Sequence, residues 1–116
     1  MLKKIYWNFF RRNIFGITGP LRVLPDFIII GSMKCGTTSL YYDICEHPCA
    51  SPAAYDEIGF FDSNFHLGLN WYRSMFPTKR RIEDIRRKEG VAITGEDTPF
   101  YFWNPVAAKR IQKLLP

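Results

Sequence analysis

No apolar run in this chain approaches the ~20 residues that a helix needs to cross a bilayer, so the sequence offers no candidate span. Cysteine is scarce: only Cys35, Cys45 and Cys49 are present. Their spacing fits no zinc motif, and an odd number cannot all pair within one chain. A disulfide scaffold and a zinc-built fold are both excluded, and a reducing, cytoplasmic compartment is the expectation. Internal repeats and low-complexity tracts are also missing, which excludes solenoids and compositionally biased linkers. Acidic residues are in the minority, 11 against 16 Lys and Arg, for a formal net charge of +5. That balance favours anionic partners: nucleotides, polyanionic sugars, nucleic acid or a membrane surface.

What is present is a length of 116 residues, 47% hydrophobic and 23% charged, enough for one small globular domain. Ten Phe, six Tyr and three Trp are many for that length and can supply much of a core.

The stretch that organises the rest is PDFIIIGSMKCGTTSL, residues 25–40. Its β-branched run 27–30 reads as a short strand. Residues 31–36 form a loop bounded by Gly31 and Gly36, and residues from Thr37 onward read as a helix. Strand, glycine loop and helix together build an anion site, because the loop backbone can approach closely and the first N–H groups of the helix point at the anion. A Walker A loop carries lysine directly after its second glycine. Here that place is held by Thr37, and the lysine is Lys34, two residues before Gly36. Taken alone, the loop also fits a tight turn with a solvated lysine.

Residues 1–22 are basic and aromatic, with Lys3, Lys4, Arg11 and Arg12 among Tyr6, Trp7, Phe9 and Phe10. They can lie on an anionic membrane surface or pack their aromatics on the domain, and packing is the preferred reading. After the first helix, His47-Pro48 stops it, and residues 49–56 read as a loop. DEIGFFD, residues 56–62, sets two aromatics among three carboxylates. Residues 67–76 read as a short helix with Trp71, Tyr72 and Met75 as its apolar contacts. The charged residues 78–90 read as a solvated helix or loop. Residues 91–94 form a second strand, followed by a loop over 95–99. Asn104 caps a helix with Pro105 at its first position, and Ala107, Ile111 and Leu114 share one face. This order implies an α/β fold, with a parallel sheet covered by helices. Ligands of such sheets bind outside the carboxyl ends of the strands, which places Lys34 and residues 95–98 on one edge with Glu57 able to fold over it.

Four blocks, in this order, resemble the N-terminal part of a sulfotransferase domain that uses 3′-phosphoadenosine 5′-phosphosulfate (PAPS), in its heparan sulfate and bacterial carbohydrate branch. They are PDFIIIGSMKCGTTSL, DEIGFFD, GLNWYRSMFP and GEDTPFYFWNP. The resemblance implies a P-loop-type parallel sheet with helices on both faces. It also implies that residues 25–116 are the N-terminal portion of the domain, that residues 1–24 form a separate basic segment, and that the sheet is incomplete at its C-terminus. It implies PAPS as sulfuryl donor, no metal, and a hydroxyl or amine acceptor that is a carbohydrate or small molecule; nucleic acid is not expected as a partner. By residue, Ser32, Lys34, Cys35, Gly36, Thr37, Thr38 and Ser39 would hold the donor. Lys34 would stabilise charge on the bridging oxygen and Glu57 would act as general base. A Golgi-type membrane association is the alternative location if the chain is N-terminally incomplete.

Two positions depart from the family. Gly59 stands where histidine often follows the glutamate, and Asp97 stands where the heparan enzymes carry lysine. An acid there disfavours a sulfated or carboxylated sugar. The block that grips the 3′-phosphate is absent, and with two clear strands the 116 residues alone are expected to be partly folded and inactive. Two other classes fit less of the chain: a P-loop kinase or NTPase, which lacks its lysine after Gly36, and a non-catalytic remnant of a sulfotransferase.

Overall fold

The computed structural model describes residues 15–31, 36–54 and 56–115. Three parallel strands form its sheet: β1 (Phe27–Ile29), β2 (Ala50–Pro52) and β3 (Ile93–Asp97), in the order β1-β3-β2. Among the described residues four α-helices accompany them: α1 (Thr37–Cys45), α2 (Leu69–Arg73), α3 (Lys79–Glu89) and α4 (Pro105–Leu114). The fold is α/β, as the order of elements implied.

β3 is the central strand and extends to Asp97, three residues beyond the expected end at Thr94. Gly95, Glu96 and Asp97 have turn chemistry, yet they pair with Phe27, Ile28 and Ile29. The parallel partner overrides the local preference. The Asp26 carboxylate accepts the Thr94 N–H at 2.9 Å, and the Asp26 N–H donates to the Thr94 carbonyl at 2.7 Å, which fixes the register at the strand's start. Gly95 is required here: a methyl at that position would lie 2.5 Å from the Phe27 carbonyl oxygen.

β2 corrects the reading of residues 49–56 as a loop. Its residues Ala50, Ser51 and Pro52 show no apolar alternation, and only pairing with Ile93, Thr94 and Gly95 makes them a strand. Pro52 is tolerated because β2 has β3 on one side only among the described residues.

Successive residues of a strand face opposite sides of the sheet. On one side lies α1, held by its Tyr41 hydroxyl, which donates to the Gly95 carbonyl and accepts the Ala53 N–H, both at 2.9 Å. On the other lies the main core: Ile58, Phe60, Phe61, Trp71, Tyr72, Met75, Phe76, Tyr101 and Ala107. Phe60 stacks on Tyr72 at 4.4 Å, and Phe61 and Phe76 meet the same ring edge-on at 5.1 and 5.0 Å. The two aromatics of DEIGFFD are thus core residues, each worth about 1.5–3 kcal/mol on burial. Trp71, Tyr72 and Met75 are buried as expected, although the helix over 67–76 is shorter, α2 being preceded by a 3-10 turn at Phe65–Leu67.

Residues 78–90 are a helix with one dry stripe. Thr78 caps α3 by accepting the Arg81 N–H at 3.1 Å, and Ile82 and Ile85 pack with Ala92. Asn104 caps α4 as read, accepting from Val106 and Ala107. α4 lies beside β1, and a cavity of about 230 Å³ between them is lined by Phe27, Ile28, Ile30, Ile111 and Leu115. Of the N-terminal segment, residues 1–14 lie outside the described residues. Arg22 packs on the domain, donating to Thr18 Oγ1 at 2.9 Å and to the Phe76 carbonyl at 2.7 Å.

Candidate active site at the carboxyl ends of β1 and β3

Parallel pairing brings the carboxyl ends of β1 and β3 to one edge. There β1 runs through Ile30 into Gly31, β3 ends at Asp97, and α1 begins at Thr37. Gly31 has φ +144°, and a methyl there would lie 2.6 Å from Phe102 Cβ and 2.9 Å from the Pro99 carbonyl. The 3-10 turn Pro99–Trp103 therefore lies against the entrance of the loop, held by the Phe102 N–H donating to the Ile30 carbonyl at 2.9 Å.

Ser32, Lys34 and Cys35 lie outside the described residues. On the far side of the loop, Gly36 adopts φ +77° and caps α1 without a side-chain hydrogen bond. Among the described residues, a methyl at Gly36 would meet nothing within 4 Å. Thr37 is buried, whereas Thr38 and Ser39 are exposed. The first N–H groups of a helix have no acceptor within it, and here no side chain of the cap residue takes their place.

Glu57 lies at this edge. Its N–H donates to the Asp97 carbonyl at 3.1 Å, and its side chain is exposed. Glu57 is also the one non-glycine among the described residues with positive φ, +51°. Such a backbone is disfavoured for a residue with a Cβ and persists only where its surroundings impose it.

Asp97 is buried, and Thr38 hydrogen-bonds to its carboxylate across the start of α1. Among the described residues its Oδ1 has no hydrogen-bond partner. Burial pushes the Asp97 carboxyl above the usual aspartate range, the Thr38 hydrogen bond pulls it back, and the charges of Glu57 and Asp56 push it further up. The site thus collects Thr38, Glu57 and Asp97 from three separate stretches of sequence.

The neighbouring Glu96, expected in a loop, lies in β3 and faces the other way. It is buried, and the hydroxyls of Tyr72, Thr98 and Tyr101 all donate to its carboxylate. Burial raises its carboxyl above the glutamate range and the three hydroxyls oppose the rise. Its burial has one signal in the sequence, the alternation of Gly95, Glu96 and Asp97 along a strand that continues past Thr94. A depression of about 440 Å³ on α4, lined by Val106, Lys109, Arg110 and Lys113, shares no residue with this edge. Among the described residues no group of three or more His, Cys, Asp or Glu is placed to hold a metal ion, and no helix is long and apolar enough to cross a membrane.

No protein-family model matches this chain. The membrane-associated sulfotransferase kil1 of Dictyostelium discoideum is 39% identical over 95 residues, which are 82% of this chain and 19% of that protein. The bifunctional heparan sulfate N-deacetylase/N-sulfotransferase 4 of Mus musculus is 35% identical over 99 residues, 80% of this chain and 11% of that protein. The corresponding N-deacetylase/N-sulfotransferase 3 of Homo sapiens is 33% identical over 99 residues, 80% and 10% respectively. The chain therefore spans less than a fifth of the length of these relatives.

Proposed function

Because this chain carries a sulfotransferase-family segment, we propose that it forms the donor side of a sulfotransferase site that takes PAPS and passes its sulfuryl group to a hydroxyl or amine. The observation that carries this reading is the meeting of Glu57 and the start of α1 at the carboxyl end of β3. A base and an anion-binding helix start then share one edge, as sulfuryl transfer requires.

The residues fit the donor. Among the described residues nothing would crowd a methyl at Gly36, and the helix start has no side-chain cap. The N–H groups of residues 35–39 with the Thr37 and Thr38 hydroxyls would hold the 5′-phosphate, and Ser32 would line the loop. PAPS supplies a sulfuryl group on a phosphate leaving group. Lys34 is the cation of the loop, suited to stabilising charge that develops on the leaving oxygen. Glu57, exposed at the edge, takes the acceptor's proton.

The acceptor reading follows from two neighbours. Asp97 places a carboxylate beside the base, which disfavours an anionic sugar at that point. Phe102 and Trp103 are exposed and meet edge-to-face at 5.0 Å next to the loop entrance, an apolar platform that suits the face of a neutral sugar or a small aromatic. A neutral carbohydrate or small molecule is therefore the acceptor class proposed, in place of the heparan-type polyanion.

The test, made with this segment carried in a complete sulfotransferase domain, is calorimetric titration with PAPS followed by transfer from radiolabelled PAPS to neutral and amino sugars. Lys34→Ala should lower transfer on the order of 10²–10³-fold. Glu57→Gln should keep PAPS binding and lose transfer. Absence of PAPS binding, or near-normal transfer by the Lys34 variant, refutes the reading.

A further inference from the structure

Glu96 is a buried carboxylate whose partners are three hydroxyls, and among the described residues no ion pair reaches it. A buried acid held this way contributes little to stability that an apolar side chain of similar volume would not. Its partners have a second task. Thr98 Oγ1 accepts the Gly59 N–H at 3.3 Å, and the Tyr101 hydroxyl accepts the Phe61 N–H at 3.2 Å. Gly59 and Phe61 belong to the stretch that begins with Glu57.

A hydroxyl carries one proton and two lone pairs, and an ionised carboxylate only accepts. Glu96 Oε1 takes the Thr98 proton at 2.7 Å and the Tyr101 proton at 3.0 Å. With both protons drawn inward, the lone pairs of both hydroxyls are turned toward the backbone of residues 59–61. Glu96 thereby fixes the polarity of two hydrogen bonds that it does not itself make. The carbonyls of the same stretch are held separately: Arg110 donates to the Phe61 and Asp62 carbonyls at 3.1 and 3.3 Å, and Asn64 Nδ2 donates to the Ile58 carbonyl at 2.8 Å. Glu57 then sits between two anchors, its own N–H on the Asp97 carbonyl and the Gly59 N–H on Thr98. Those anchors account for its backbone being held at φ +51°.

We propose that Glu96 is the positioning residue of the Glu57 loop, acting through the hydroxyls of Thr98 and Tyr101. This rests on the reading of Glu57 as the base, but the loop anchoring is measurable without it. The experiment is residue-resolved amide hydrogen exchange on the full chain. Thr98→Val should speed exchange at Gly59 on the order of tenfold, the size of one lost hydrogen bond, and leave Phe61 near its original rate. Tyr101→Phe should do the converse. Thr98→Ser, which keeps the hydroxyl, should restore Gly59. Glu96→Gln has one acceptor oxygen and adds donors, so it should speed both sites while Ile85 in α3 stays unchanged. In the transfer assay the same variant should lower kcat and leave PAPS affinity intact.

Equal acceleration at Gly59, Phe61 and Ile85 in the Glu96 variant would show a purely structural role and overturn the proposal. So would unchanged exchange at both loop sites, failure of serine to restore Gly59, or uniformly fast exchange in the unmodified chain. If the exchange pattern holds while Glu57→Gln transfers normally, the catalytic reading fails and the positioning stands.

Discussion

Gly95→Ala tests whether the site edge depends on close contact between β1 and β3. The added methyl would lie 2.5 Å from the Phe27 carbonyl oxygen and 2.6 Å from Cδ1 and Cδ2 of its ring. The ring can turn away, but the carbonyl is backbone and pairs with β3 itself. Relief requires the strands to separate by roughly 0.5–1 Å, since ordinary van der Waals contact lies near 3.5 Å and part of the excess can be shared by bond angles. Overpacking of this kind costs about 1–3 kcal/mol, and the backbone partner places this case at the upper end. For a chain of this size 3 kcal/mol lowers Tm by on the order of 10 °C. Gly95 also presents the carbonyl that receives the Tyr41 hydroxyl, so α1 should loosen with it. Thermal unfolding followed by circular dichroism is the assay. Gly36→Ala is the contrast: among the described residues it meets no atom within 4 Å, leaving the strain of φ +77°, about 1–2 kcal/mol. Phe27→Leu in the Gly95→Ala background should recover only part of the loss, because the carbonyl contact remains. A Gly95→Ala melt within about 2 °C of the original, or full recovery by Phe27→Leu, would refute the reasoning.

Asp97→Asn should change how stability depends on pH. The Asp97 carboxyl is raised in the folded chain, by burial first and by Glu57 and Asp56 after it. Its contribution to stability is fully present below the ordinary aspartate range and is lost as pH rises through the raised value. Asparagine does not titrate, so the variant should gain in Tm relative to the original as pH goes from about 4 to about 7; a difference that stays flat or reverses counts against the assignment. A second outcome concerns thiols. Cys49 is buried, and the Cys45 thiol is pushed up mainly by burial, whereas a thiol beside a lysine and a helix start is made more reactive. Alkylation should be fastest at Cys35 and slowed by PAPS, read by mass spectrometry; equal labelling of the three without protection would remove the loop from the donor site.

What could be read from the sequence was local chemistry repeated at short range. The Asn104-Pro105 start of α4 and the face made by Ala107, Ile111 and Leu114 follow from capping and a 3.6-residue period, and both are present. The glycine-bounded passage from β1 to α1 needs only backbone freedom at Gly31 and Gly36, which both use at positive φ. Trp71, Tyr72 and Met75 were legible as core because large apolar side chains at helical spacing have few other places to go. The remainder depended on partners far along the chain. Ala50–Pro52 is a strand only because Ile93–Gly95 lies beside it, and Gly95–Asp97 stays extended only because Phe27–Ile29 does. That extension turns Glu96 to three hydroxyls on one face of the sheet and Asp97 to Thr38 on the other. A one-residue change of register would exchange them, since side chains alternate along a strand. Tertiary pairing therefore decided which of two adjacent acids faces Thr38 at the start of α1 and which faces the core hydroxyls, a choice that nothing local to Glu96 or Asp97 encodes.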